Sequence, residues 1–267
     1  MSTANNDQWL DTALENVLAA TPIENISLTQ PDITKEAAYD LQRQLVARLQ
    51  AHGGWSDIYG YKAALTAQAA QRAMGIDEPI IGALFQHGVQ RASAQTPVQA
   101  DRPVLLETEL GFTLSKAITD PVDLETVLDS VRECQGMIEL AAPNLQQRPS
   151  SIDLISSNSA SYGCLAAEPG ANPTELDIDT LEVSLTRLGD TQETLHSVPA
   201  GTVMQGQLKA LVWLVNTVLA QGYTLAAGHV LMTGSIGNMH PGAPGDYRAA
   251  FGTLGELTLR LNRDRTP

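Results

Sequence analysis

The residues of this 267-residue chain with the clearest chemical potential are acids. Glu107 and Glu109 stand two apart in Leu106-Glu107-Thr108-Glu109-Leu110. On a strand, positions i and i+2 share a face. The two carboxylates therefore project together, while Leu106, Thr108 and Leu110 face the other way. Taken alone, a Glu-x-Glu step also describes a half-exposed strand with a solvated acidic face. Glu139 changes the weighing, because it lies in the apolar run Gly136-Met137-Ile138-Glu139-Leu140. A buried carboxylate without a partner costs several kcal/mol or takes up a proton. Either an arginine neutralises it, or Glu107, Glu109 and Glu139 converge. Converging carboxylates repel by roughly 4 kcal/mol per pair at about 4 Å and an effective dielectric near 20, and so call for a cation. An all-carboxylate set suits a hard divalent ion, Mg²⁺ or Mn²⁺, better than zinc. Three protein ligands would leave about three octahedral positions open to water or substrate. Lys62, in Gly60-Tyr61-Lys62, either snorkels its ammonium to solvent or, beside such a site, binds a substrate carboxylate or an enolate oxygen.

These side chains need elements to position them. Ala38, Leu41, Leu45 and Leu49 recur at helical spacing after Thr34, and His52-Gly53-Gly54 ends that helix. A short helix is expected over 67–74, stopped by Gly75. Residues 105–114 (LLETELGFTL) read as a strand. Asp120-Pro121 is expected to open a helix with a buried stripe of Leu124, Val127, Leu128 and Val131. Residues 136–140 read as a short buried strand and 143–151 as a loop. Strands are expected over 179–189, 229–235, 246–251 and 255–261, with one strong helix over 207–219. No repeat or long linker stands out. The fold class expected is α+β in a single domain over 1–267, with a helical portion over 1–100 and the catalytic core over 101–267.

Composition narrows the function. Thirty acidic and 16 basic side chains give a net charge of −14, which opposes non-specific binding to nucleic acid or to anionic membranes. The two cysteines, Cys134 and Cys164, form no CxxC, so neither a disulfide framework nor a thiolate metal site is expected. The opening residues carry no basic, apolar signal segment, and 208–220 is too short and polar to span a bilayer. A soluble cytoplasmic protein is expected. Signatures of serine hydrolases, zinc proteases, P-loop NTPases and dinucleotide-binding folds are missing.

Four stretches resemble the 2-hydroxypenta-2,4-dienoate hydratase and 4-oxalocrotonate decarboxylase family, within the fumarylacetoacetate hydrolase superfamily. They are GYKAALTAQAAQRAMGIDEPIIG (60–82), LLETELGFTL (105–114), MIELAAPNL with IDLISSNSA (137–160), and LVWLVNTVLAQGYTLAAGHVLMTGSIG (211–237), which runs on to PGD and FGTLGELTLRL. The resemblance implies the mixed β-roll of that superfamily. It implies metal ligands Glu107, Glu109 and Glu139 for Mg²⁺ or Mn²⁺, and catalytic roles for Lys62 and Glu107. It places Lys62, Leu65, Asp77, Asn158, Ser235 and His240 at the substrate, a small 2-oxo or 2-hydroxy acid. The implied reaction adds water to a 2-hydroxy-2,4-dienoate or its 2-oxo-enoate tautomer, giving a 4-hydroxy-2-oxo acid. Decarboxylation of a 2-oxo-3-enoate, acylpyruvate-type C–C hydrolysis and a non-catalytic partner subunit are the alternatives. A homo-oligomer, and a complex with a related decarboxylase, are further implications. The chain departs from the family in Leu140-Ala141-Ala142-Pro143-Asn144 after the third ligand, in Ser157-Asn158, and in Ala63-Ala64-Leu65 after the lysine. These changes surround the acids without removing them. Asp77 and Glu78 also read as capping a turn. His87 is a lesser pocket candidate, and His52, His196 and His229 read as caps or surface residues.

Overall fold

The computed structural model describes residues 3–55, 57–90, 95–98 and 103–263. Three helices come first: α1 (Thr3–Leu18), α2 (Ile26–Thr29) and α3 (Lys35–Ala51). The expected stripe of α3 is buried, and the Thr34 hydroxyl caps the helix by accepting from the Ala37 N–H. Strand β1 (Ile58–Ala64), helix α4 (Gln68–Met74) and strands β2 (Ile80–Phe85), β3 (Val89–Gln90) and β4 (Gln95–Val98) follow. The portion expected to be helical thus also supplies strands, because residues 58–64 pair with residues 80–85 and with a strand from the second half of the chain.

The Glu-x-Glu segment is β5 (Leu105–Leu114), and the third glutamate lies on β6 (Val131–Ala141). The rest of the chain forms α5 (Ser151–Ser156), β7 (Ser161–Ala166), β8 (Glu182–Leu188), β9 (Glu193–Pro199), α6 (Gln207–Ala220), β10 (Val230–Met232), β11 (Ile236–Pro241), β12 (Gly245–Phe251) and β13 (Glu256–Arg263). Among the described residues, one sheet runs in the order β2-β1-β10-β5-β6-β7-β3, with β11 on β5, and a second runs β4-β13-β12-β8-β9. Antiparallel ladders dominate, while β1–β10, β3–β7 and β13–β4 are parallel. This is the expected mixed α+β architecture built on a curled sheet.

The curl brings β2 toward β7, at the far side of the sheet order. Asn158, Ser159 and Ala160 are three consecutive residues with positive φ (69°, 54° and 59°). That turn aims the Asn158 amide at β2, where it accepts from the Ala83 N–H at 2.7 Å and donates to the Ala83 carbonyl at 2.9 Å. Ser159 Oγ donates to the Ile81 carbonyl. Side chains here replace a strand ladder and satisfy buried backbone groups that would otherwise lack partners. The apolar faces of α3 and α6 join the main core, and the two sheets meet where Gly136 lies under Phe251. A Cβ at Gly136 would come within 2.2 Å of the Phe251 ring, so only glycine allows that approach.

Several local expectations differ from the structure: the strand expected over 179–189 begins at Glu182, and the one expected over 229–235 covers only Val230–Met232. No α-helix follows Asp120-Pro121; only a 3₁₀ turn, Val127–Ser130, forms, and Leu124 is exposed. The Asp123 carboxylate accepts from the Glu125 and Thr126 N–H groups and the Thr126 hydroxyl, a turn that competes with a helix. Asn216 of α6 engages both the N–H and the carbonyl of Val122, and Val131 is recruited to pair with Leu114. The strand expected over 136–140 therefore extends back to Val131. The expected loop over 143–151 stops one residue earlier, because Ser150 and Asp153 form a reciprocal capping box that starts α5. Asp153 also accepts from the Ser27 N–H, which pins the N-terminal segment to the sheet layer.

Candidate metal centre

Strand register brings the acids together. Glu107 of β5 pairs directly with Glu139 of β6, which pairs with Cys164 of β7. Directly paired residues of antiparallel strands share a face about 4.5–5.5 Å apart. Glu109 lies two residues along from Glu107 on that face. Carboxylate oxygens of Glu107, Glu109 and Glu139 lie within 4.8 Å of one another, the one such group of three His, Cys, Asp or Glu residues among the described residues. Glu109 and Glu139 are 0% and 1% exposed, so the solvated acidic face is excluded.

The neutralising partner is a lysine, not the arginine expected as the alternative. Lys62 of β1 is 2% exposed, and its Nζ lies 2.5 Å from Glu139 Oε1. It does not snorkel. The ammonium therefore serves Glu139 Oε1, whereas the buried Glu109 Oε1 has no donor. Glu109 Oε2 accepts from the Gly234 N–H at 2.9 Å. Gly234 has φ +112°, and a Cβ there would lie 2.4 Å from Thr66 Cγ2, so glycine lets the loop after β10 reach the acid. Thr233 holds that loop: its hydroxyl donates to Gln207 Oε1 at 2.5 Å and its N–H to the Leu110 carbonyl. Ser235 faces Glu107 and favours its anion, without the alignment of a regular hydrogen bond.

Three carboxylates share one lysine. Burial, then the charge of Glu139, pushes Glu107 up to about 7. Burial, then Glu139 and Glu107, holds Glu109 well above the usual carboxylate range. Burial works to lower the Lys62 pKa, but the carboxylates outweigh it and keep it raised. With all acids ionised the cluster carries two uncompensated negative charges, the charge of one divalent cation. The buried Glu109 oxygen without a donor and an all-oxygen donor set fit a hard divalent ion. Beneath the acids, Leu84, Met137, Cys164, Val230 and Met232 form a separate apolar cluster.

The raised carboxylates set the sign of a pH dependence. An acid whose folded pKa exceeds its unfolded value stays protonated in the native state over a range where the unfolded chain releases the proton. Stability then falls as pH rises through that range. For Glu107 the range runs from 4.5 to about 7. The protein in EDTA is expected to have a lower thermal midpoint at pH 8 than at pH 5.5, and excess Mg²⁺ is expected to remove most of that difference. Thermal scans at the two pH values check this.

The remaining expected substrate residues divide. Ser235 lies at the cluster. Leu65 has φ +56° and gives its carbonyl to Gln71 Nε2, next to Thr66, which packs on Gly234. Asp77 is exposed on a bend. Asn158 is buried and spends its amide oxygen and one amide N–H on the Ala83 backbone. His240 pairs with Leu106, and strand parity turns it to the face of β5 opposite the glutamates. There it meets His196, which is buried at 8% exposure rather than a surface residue. His87 is exposed and packs on Trp55. His52 caps α3, and His229 accepts from the Ala226 N–H. Cys134 and Cys164 are buried free thiols. No described helix is long and apolar enough to cross a membrane.

No family model matches the chain. Among curated proteins it is 30% identical over 248 residues to 2-oxo-hept-4-ene-1,7-dioate hydratase of Escherichia coli, covering 90% of this chain and 91% of that one. It is 28% identical over 234 residues to 2-keto-4-pentenoate hydratase of Paraburkholderia xenovorans, covering 84% and 82%. Among solved structures it is similar to 4-oxalocrotonate decarboxylase from Pseudomonas putida G7 complexed with calcium and acetate. That match has a TM-score of 0.84 and 25% identity, and covers 96% of this chain and 97% of the other.

Proposed function

Because the chain belongs to the 2-keto-4-pentenoate hydratase and 4-oxalocrotonate decarboxylase family, we propose that it is a divalent-metal-dependent hydro-lyase acting on a 2-oxo-enoate or its 2-hydroxy-2,4-dienoate tautomer. The observation that carries this is the cluster of Glu107 with the fully buried Glu109 and Glu139, paired with Lys62. Those three side chains would hold Mg²⁺ or Mn²⁺, which supplies a Lewis acid for the oxygens of a 2-oxo acid. The decarboxylase structure was obtained with a divalent cation and a carboxylate, which supports this donor set.

The chain's own groups define the rest. Lys62, kept protonated by its acidic neighbours, donates hydrogen bonds to an oxyanion and balances its charge as it develops. Gly234 and Ser235 orient Glu109 and Glu107, and the apolar cluster around Met137 and Met232 keeps bulk water out beneath them. In the hydration the dienol loses its enol proton and gains one at C5, giving the 2-oxo-3-enoate; the hydroxyl of water then joins C4 and a proton joins C3, giving a 4-hydroxy-2-oxo acid. Structural similarity to the decarboxylase keeps loss of CO₂ from a 2-oxo-3-enoate as the second reading. Incubation with Mg²⁺ and either 2-hydroxypenta-2,4-dienoate or 4-oxalocrotonate separates them. Loss of dienol absorbance without CO₂ is expected; CO₂ release from the second substrate alone would replace hydration by decarboxylation.

A further inference from the structure

The reverse face of the ligand strand carries two histidines that the proposed chemistry does not use. Thr108 stands between Glu107 and Glu109, so its side chain points away from the carboxylates. Its hydroxyl lies 2.9 Å from the Ile236 carbonyl and 3.0 Å from His196 Nε2. A hydroxyl has one proton to give and a carbonyl can only accept. That proton therefore goes to Ile236, and the Thr108 oxygen accepts from His196 Nε2–H. The assignment leaves His196 Nδ1 with a lone pair, 3.0 Å from His240 Nε2, which must then be the donor. The order is His240, His196, Thr108, Ile236, with each group satisfied by the next.

This chain ends where the carboxylates are held. Ile236 opens β11, directly after Gly234, whose N–H binds Glu109, and Ser235, which faces Glu107. The β11–β5 ladder is irregular at this point. Ile236 pairs with Thr108 and His240 with Leu106, so the two strands lose register between them. The His196 ring fills the space under the irregular stretch, where a Cβ on Gly237 would come within 2.8 Å of it.

We propose that His196, reaching in from β9, is a positioning residue for the carboxylate trio: by orienting Thr108 it fixes Ile236, and with it Gly234 and Ser235, against the strand that carries Glu107 and Glu109. His240 holds the His196 ring in the required tautomer. The inference rests on the metal-binding reading above.

The test uses the full-length protein, with Mn²⁺ affinity measured by calorimetry and thermal midpoints measured in EDTA. Thr108→Val keeps the shape and removes the hydroxyl; Thr108→Ser keeps the hydroxyl. His196→Leu removes the donor, and His196→Gln returns an N–H. Orienting partners of ligands are typically worth 10–100-fold in metal affinity. Thr108→Val and His196→Leu are expected to weaken Mn²⁺ binding by about 10-fold or more, while Thr108→Ser and His196→Gln stay within about threefold of the parent. The ¹⁵N shifts of metal-free parent protein are expected to report His196 as the Nε2–H tautomer. If His196→Leu does not fold, Thr108→Val against Thr108→Ser decides alone. Parent-level Mn²⁺ binding by Thr108→Val, or an Nδ1–H tautomer, overturns the positioning role and leaves the metal reading standing. A parent protein that binds no Mn²⁺ overturns both.

Discussion

Glu109→Gln is expected to weaken Mg²⁺ and Mn²⁺ binding by at least about 100-fold and to lower kcat by roughly 10³, with the fold intact. The glutamine oxygen can still accept from Gly234, so the local hydrogen bond survives. What disappears is one negative charge and one anionic ligand at a fully buried position. In metal-free protein the same change relieves repulsion from Glu107 and Glu139 and removes the desolvation of a buried carboxylate. Its thermal midpoint in EDTA is therefore expected to match or exceed the parent's. A variant that is inactive, metal-blind and yet no less stable separates a ligand from a structural acid. Glu107→Gln and Glu139→Gln are expected to abolish turnover in the same way. Calorimetry, a steady-state assay and a thermal scan on one preparation check all three quantities.

Lys62→Met should act in the opposite sense on stability. Methionine has similar length, so packing is largely kept. The acids, however, lose the countercharge at Glu139. Breaking a buried pair by removing one partner is typically worth 3–5 kcal/mol. A loss of that size is expected near pH 8 in EDTA by urea denaturation. It should shrink near pH 5, where protonation of the raised carboxylates Glu107 and Glu109 reduces the negative charge that surrounds the Lys62–Glu139 pair. Saturating Mg²⁺ should recover much of it at pH 8, because a cation bound only to the folded state stabilises that state. Turnover should stay about 10²–10³-fold low even with metal bound, since the ammonium that faces the developing oxyanion is gone. A uniform loss of stability at both pH values would assign Lys62 to packing instead.

Much of the site could be read from residue order because its geometry is local. The period of two in Leu105–Leu114 puts Glu107 and Glu109 on one face, and the apolar run around Glu139 marks it as buried. The pairing of Glu107 with Glu139 is a register fact, and the family resemblance, not the periodicity, pointed to it. The segment after Asp120 misleads because its apolar spacing fits a helix, whereas the Asp123 turn and the Asn216 bridge depend on atoms the pattern does not weigh. The start of α5 had a local sign, Ser150 followed three residues later by Asp153, that a loop reading passes over. Asn158 could not be assigned from sequence: its amide closes the sheet only because three residues in a row take positive φ. His196 and His240 lie 44 residues apart, and only the stacking of β9 on β11 makes them neighbours.

The most direct test of the account is an anomalous difference map from a crystal soaked in Mn²⁺. One strong peak is expected within bonding distance of oxygens from Glu107, Glu109 and Glu139. A fully formed trio showing no peak, with Lys62 seated among the carboxylates at saturating Mn²⁺, would contradict it.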